Sequence, residues 1–490
     1  MSILTSDSTD NVTSAGSDAA AIAATRAAFD AQRRAFAADR NPSLDERKHR
    51  IETLMGMMVA NRERISVALT SDFGSHPVPA SDLIEVLGLL GRARYVLDNL
   101  ESWMQPSPRE TDAAMMGSAR AYVQSQAKGV VGNIVPWNFP FDLGVGPMIE
   151  MLAAGNRVML KPSEFTPASA ALLHEMVSAA FDPTLVYVAV GGLELARAFT
   201  ALPWDHLLYT GSPNVGREVM AAAAKNLTPV TLELGGKCPA LLTAGSVTAA
   251  SVESVIGTKI IKNGQMCISV DYCLVPRAEV ETFIALAQSF MQAAAPDYSR
   301  GPDCTGIISL RHLDRLSGLL QEAADRHTRI VVLEADGKGQ LDRVTRRMPM
   351  SLVIDPAPDL RLMQEEIFGP ILPLVVYDEL DEAIERVNAG ERPLGLYVFS
   401  DDETTVSRIL EQTISGGAAI NACAVQGALP SLAFGGVGTS GMGRHHGAEG
   451  FREFSNQRGV VVRGTGDLID AFYAPYSKAA AVVAAVLAGG

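Results

Sequence analysis

Between Gly129 and Leu234 the chain repeats one unit, an apolar run followed by a turn and an amphipathic stretch. The apolar runs are Val130 to Val135, Arg157 to Leu160, Leu185 to Val190, His206 to Thr210 and Val230 to Leu234. Helical stretches such as Pro167 to Ala180 and Pro213 to Asn226 lie between them. Strands that alternate with helices are joined by right-handed crossovers, which predicts an α/β fold built on a mostly parallel, twisted sheet. Ligands of such sheets gather at the carboxyl ends of the strands. The residues that follow each run are therefore the first place to look for chemistry.

The chain has 490 residues, more than one hydrophobic core normally supports, so two or three domains are expected. From Asp18 to Trp103 the spacing is helical, with Ile51, Leu54 and Met58 on one face and Arg62 and Arg64 nearby. From Ala119 to Ala127 the pattern shortens to alternation, Ala121 and Val123 against Tyr122 and Gln124, which predicts an exposed hairpin able to pair with another chain. A second α/β region runs from Gly235 to about Gly416, and Gly459 to Arg463 forms a late β-rich run. At the start, Asp7, Asp10 and Asp18 punctuate a Ser/Ala/Thr stretch that lacks a basic-then-apolar signal pattern and reads as a flexible leader. The apolar tail from Lys478 to Gly490 is far shorter than the roughly 20 residues of a membrane span and is expected to dock or fray.

With a formal charge of −14 and no Lys/Arg run, the chain does not have the surface of a nucleic-acid binder. Its five cysteines, Cys238, Cys267, Cys273, Cys304 and Cys423, are odd in number and scattered, which fits a reduced cytoplasmic compartment better than a disulfide framework.

Several strand ends carry reactive groups. Ser212, after Gly211 and ahead of a helix containing Gly216, is placed to cap that helix and present its free amides to a phosphate, although an ordinary capped helix explains the same residues. Lys161 and Glu164 end another run and could hydrogen-bond ribose hydroxyls. Gly436-Val-Gly438-Thr-Ser-Gly441 matches the dinucleotide fingerprint letter for letter but opens no strand–helix unit, so it reads as a glycine-rich loop. His445 and His446 are adjacent, without the spacing that puts two ligands on one metal, and no metal is expected. Cys267 follows Gly264-Gln265-Met266, just beyond a helical stretch from Val252 to Lys262, and is the best nucleophile candidate. Glu233, ending a strand, could activate a thiol or a water, and the Asn138 amide could donate to an oxyanion.

Taken together these segments resemble the aldehyde dehydrogenase superfamily. Seven blocks stand in the family's order over roughly residues 20 to 465: PWNFP around Asn138, KPSE at Lys161 to Glu164, TGS at Thr210 to Ser212, ELGGK at Glu233 to Lys237, GQxC at Cys267, EEIFGP at Glu365 to Pro370, and the glycine-rich loop from Pro430 to Gly443. The C-terminal half and Asp271-Tyr272 look closest to the class 3 and coniferyl aldehyde dehydrogenase branch. Ile260, Lys262, Asn263 and Cys238 depart from the family's usual residues, and these departures bear on substrate fit more than on chemistry.

The resemblance implies a Rossmann-like parallel-sheet cofactor domain (residues 19–108 and 128–232), a second α/β catalytic domain (233–450) and a small β oligomerisation region (109–127 and 451–465). A leader (1–18) and a tail (466–490) flank them. It implies that Cys267 attacks the aldehyde carbon, that Asn138 and the Cys267 amide hold the oxyanion, and that Glu233 activates the water that hydrolyses the thioester. Lys161, Glu164, Gly211, Ser212, Gly216 and Trp137 would hold the cofactor, with Glu366 and Phe368 at the nicotinamide ribose and ring. The branch takes bulky aromatic or medium-chain aldehydes, with NAD or NADP as cofactor; Glu164 would repel a 2′-phosphate and favour NAD. A homodimer is expected. Two other readings use the same residues: a CoA-acylating semialdehyde dehydrogenase, which retention of Glu233 argues against, and a catalytically silent relative.

Overall fold

The computed structural model of the chain describes residues 15–339 and 341–488. Most of the proposed leader, residues 1–14, lies outside the described residues. Its end does not read as a leader: Ala15 already opens the helix Ala15–Ala38, and the buried Asp18 accepts the Gly192 N–H at 2.9 Å.

Among the described residues sixteen strands form three sheets. In chain order they are β1 Ser107–Arg109, β2 Arg120–Ala127, β3 Val130–Ile134, β4 Arg157–Lys161, β5 Val186–Val188, β6 His206–Gly211, β7 Val230–Leu234 and β8 Pro239–Leu242. There follow β9 Tyr272–Pro276, β10 Arg329–Val332, β11 Ser351–Ile354, β12 Ile371–Tyr377, β13 Gly395–Phe399, β14 Gly417–Ile420, β15 Gly441–Met442 and β16 Ser455–Val462.

The repeated unit of the sequence becomes the first sheet, ordered β15-β7-β6-β3-β4-β5, in which all pairings are parallel except that of β15 with β7. Its inner strands read as continuous apolar runs because both faces are covered. On one face Leu54, Met58, Leu69, Val96, Met148 and Phe451 form a single cluster; on the other, Phe29 packs edge-on against Trp204 at 4.9 Å. The second sheet, β10-β11-β12-β9-β8-β13-β14, is parallel apart from β10 and has its own core around Phe283, Leu352 and Tyr397. The α/β class and the pair of parallel-sheet units expected from the sequence are both present.

Three expectations need correction. Residues 119–127 form no hairpin: β2 is one uninterrupted strand, and its antiparallel partners β1 and β16 come from elsewhere in the chain. Alternation marks a strand but cannot name its partner. The helical stretch ahead of Cys267 runs Ala249–Ile260 and stops short of Lys262, because Lys262 and Asn263 adopt positive φ (49° and 56°) in a tight turn. A division at residue 233 would cut β7, and β15 together with the helix Gly447–Glu453 returns to the first sheet from the far end of the chain. Beyond β16 the tail ends in the helix Ser477–Ala488, whose Val483 and Leu487 are exposed.

Candidate active site

The carboxyl ends of β3, β4, β6 and β7 deliver Trp137 and Asn138, Lys161 and Glu164, Gly211 and Ser212, and Glu233 to one edge of the first sheet. Facing them, the second unit contributes the Cys267 loop and the segment Glu366 to Phe368. Cys267 is half-buried and forms part of the wall of a cavity of about 360 Å³ that is also lined by Phe139, Leu143, Met266, Ile268, Phe434, Arg92, Asp142, His445 and His446.

Asn138 is buried, and its Nδ2 donates to the carbonyl of Gln265 at 3.2 Å, two residues before Cys267. An amide nitrogen has two hydrogens, so one stays free for a developing oxyanion. The loop that carries Asn138 is pinned from outside. Lys262, itself buried, donates to the Asn138 carbonyl, pairs with Glu85 at 2.5 Å and lies 4.0 Å from the centre of the Phe139 ring. The other oxygen of Glu85 accepts the N–H groups of Phe141 (3.0 Å) and Asp142 (2.8 Å), capping the helix Asp142–Ala153 with a buried carboxylate.

Burial, with the charges of Glu366 and Glu233 next in importance, pushes the Cys267 thiol up to about 12, while the N–H groups of Cys267 and Ile268 favour the thiolate. At rest the sulfur is therefore a thiol that needs a base. Behind it, the Cys238 thiol donates to the Cys267 carbonyl at 3.4 Å and accepts the Gly395 N–H at 3.2 Å. Glu233 is buried, neither of its oxygens has a hydrogen-bond partner among the described residues, and burial holds its pKa well above the carboxylate range. Glu366 is pushed up to about 8, by burial first and then by Asp271, and its Oε1 accepts the Gly236 N–H at 3.2 Å. A Cβ on Gly235 would stand 2.1 Å from the Glu366 carboxylate, so this first glycine of ELGGK is what lets that group sit beside β7. Lys237 ties the same corner together, pairing with Asp271 and donating to the carbonyls of Leu362 (2.8 Å) and Glu365 (3.0 Å).

The other candidates fall into three groups. Trp137 meets Phe368 edge-on at 5.3 Å and His312 at 5.4 Å, and Phe368 takes a positive φ of 52°, a conformation a bulky side chain rarely holds without a local demand. Lys161 is buried, donates to the Pro162 carbonyl at 2.7 Å and pairs with the exposed Glu164 at 3.4 Å, while Tyr209, which feels the Glu164 charge, reaches the Ser212 carbonyl at 3.4 Å. Ser212 caps the helix Pro213–Ala224. Gly216 has a packing role here, since a Cβ would stand 2.7 Å from Leu234.

The sequence reading missed the supporting residues Glu85, Arg92, Glu150, Asp271 and His445. Arg92 grips Glu150 through two hydrogen bonds of 2.8 and 2.7 Å and also meets His445, and nothing in the local sequence links positions so far apart. The one available signal was the adjacent histidines, weighed only as metal ligands; among the described residues no group of metal-ligating side chains comes together. The glycine-rich loop that mimics a dinucleotide fingerprint instead pairs Gly441 with Glu233, and a Cβ on Gly441 would stand 2.0 Å from the Leu232 carbonyl.

Comparison with known proteins identifies the family. Residues 4–460 match the model of the "Aldehyde dehydrogenase family". The "Probable coniferyl aldehyde dehydrogenase" of Caulobacter vibrioides is 42% identical over 424 residues, 86% of this chain and 87% of that protein. The rat "Aldehyde dehydrogenase, dimeric NADP-preferring" is 36% identical over 433 residues, 87% of this chain and 92% of that one. Among solved structures, the substrate-bound AldH of Staphylococcus aureus superposes with a TM-score of 0.87 at 32% identity, covering 94% of this chain and 99% of its own. The Mycobacterium tuberculosis aldehyde dehydrogenase complexed with NAD+ gives 0.79 at 28% identity, with 91% of each chain covered. The chain belongs to the aldehyde dehydrogenase family.

Proposed function

We propose that this aldehyde dehydrogenase oxidises a coniferyl-type aromatic aldehyde, or a medium-chain aldehyde, to the carboxylic acid through a thiohemiacetal and then a thioester on Cys267. The observation that carries the reading is the cavity that reaches Cys267: aromatic and aliphatic walls suit a bulky aldehyde, and two of its polar groups, Asp142 and His446, suit ring hydroxyl and methoxy substituents. The relative from Caulobacter vibrioides supports the substrate class.

In this scheme the Cys267 sulfur bonds to the aldehyde carbon, with its proton released to solvent. Asn138 Nδ2 and the Cys267 N–H hold the oxyanion. The nicotinamide cofactor, when bound, accepts the hydride that leaves this carbon. Glu233 then takes a proton from water as the water oxygen attacks the thioester, and passes it to the sulfur as the carbon–sulfur bond breaks. The chain's donor set fits the cofactor: a Lys161/Glu164 pair offers an ammonium donor and a carboxylate acceptor to a ribose diol, and the capped helix beginning at Pro213 offers amides to phosphate. The exposed Glu164 favours NAD over NADP by repelling a 2′-phosphate.

A homodimer is the proposed assembly. The edge strand β16 leaves its outer backbone groups free and exposes Val461, a template for pairing with a second copy. A sedimentation mass of one or four subunits would refute it. Five free thiols fit a cytoplasmic location, and among the described residues no helix is long and apolar enough to cross a membrane.

The test is reduced-cofactor formation with coniferaldehyde and with octanal, each with NAD and with NADP, in the absence of CoA. Preference for coniferaldehyde with NAD is expected. Preference for octanal makes this a fatty-aldehyde enzyme, and turnover only after CoA is added removes Glu233 as the hydrolytic base.

A further inference from the structure

His445 sits between two charged groups whose chemistry settles where its proton is. Its Nδ1 is 3.2 Å from Nη2 of Arg92, and Arg92 is clamped on the buried Glu150. A guanidinium only donates, so Nδ1 must accept and the ring proton resides on Nε2. That nitrogen faces Glu233, 3.8 Å from Oε1. The imidazole is held in place by its own backbone, which exchanges both hydrogen bonds with Phe434 at 2.8 Å, and it lines the same cavity as Cys267.

We infer that His445 is a positioning residue for Glu233: its Nε2–H, fixed by Arg92, is the donor that holds the ionised carboxylate in line for the water that attacks the thioester. The inference rests on the reading of Glu233 as the hydrolytic base. Neither Glu233 oxygen has a hydrogen-bond partner among the described residues, and a shift of less than 1 Å brings Oε1 into bonding range of Nε2. The other charged groups around Glu233 are already engaged. Arg444 donates to the carbonyls of Gly443 and Gly436, Glu453 accepts the Thr231 hydroxyl at 2.5 Å, and Arg92 is taken by Glu150 and His445. The Cys267 thiol lines the same cavity, and its neutral form is favoured next to a charged Glu233. Burial and the Arg92 charge keep His445 neutral over the working range, so it serves as a fixed dipole and does not add a titration of its own.

The test compares His445→Phe with His445→Gln, whose amide places an N–H near the Nε2 position. A donor to the charged form lowers a carboxylate's pKa, so its loss moves the acid limb of the kcat profile to higher pH. In His445→Phe that limb is expected to rise by about one unit, a tenfold fall in hydrolysis at pH below the limb. The first-turnover burst of reduced cofactor should stay at the parent rate, and His445→Gln should restore the profile. The inference is overturned if a folded His445→Phe, with parent melting temperature, keeps the parent acid limb, or if burst and steady state fall together. In the Glu233→Gln background His445→Phe should change nothing further; an additional loss there also overturns it. Hydrolysis at the parent rate by Glu233→Gln alone would instead remove the base on which the inference depends, so the two failures are distinguishable.

Discussion

The two sides of Cys267 are built on opposite principles. On the Asn138 side each key polar atom is engaged: the amide on Gln265, the carbonyl on Lys262, the ammonium on Glu85, and the remaining Glu85 oxygen on two backbone N–H groups. On the Glu233 side the carboxylate is buried, neither oxygen has a hydrogen-bond partner among the described residues, and His445 Nε2 stands off at 3.8 Å. The difference fits the proposed tasks. A donor to an oxyanion works best when it does not reorganise during reaction. A base changes protonation state twice per turnover, and a strong fixed partner would trap it in one state.

The contrast can be broken from either side. The largest effect is expected at Glu233: Glu233→Gln should slow hydrolysis by about 10²–10⁴ and leave the first hydride transfer far less affected, read as a burst of reduced cofactor. Because burial raises the Glu233 pKa, the base is ionised only as pH climbs, so kcat should keep rising with pH well above the ordinary carboxylate range. A profile already flat from pH 5 would contradict this. Next comes Asn138→Ala, expected to cost about 10²–10³ in rate, with the burst itself slowed.

Lys262→Met sharpens the comparison, because it attacks the engaged side without touching substrate. Removing one partner of a buried ion pair costs about 3–5 kcal/mol, so the melting temperature should drop, and kcat should fall toward but not below that of Asn138→Ala. An unchanged kcat would mean that the Asn138 loop holds its shape unaided. The smallest effect is expected at Cys238. Cys238→Ala removes the thiol that supports the Cys267 carbonyl, worth about 1 kcal/mol, and should change kcat by less than tenfold.

What the sequence made legible divides along the same line. Glu233 and Asn138 stand in short blocks at the ends of strands whose apolar runs announce themselves, and Cys267 in one just beyond a helical stretch, so local pattern finds both element and residue. Their supports were invisible for a physical reason. Lys262 meets Glu85 across 177 positions and Arg92 meets His445 across 353, pairings set only when the sheets pack. Lys262 registered merely as a departure from the family pattern, and its left-handed backbone, which aims it at the Asn138 loop, is not written in residue type. The β2 strand teaches the same lesson, since its alternation was plain while its partner β16 lies more than 300 residues away.

The most direct measurement of the proposed chemistry is the intact mass of Glu233→Gln after mixing with coniferaldehyde and NAD, taken alongside the yield of reduced cofactor. One equivalent of reduced cofactor per active site, with an acyl group of matching mass trapped on Cys267, is the expected result. Steady turnover with no adduct, or an adduct on any other residue, would contradict the assignment of Cys267 as the nucleophile and Glu233 as the group that releases it.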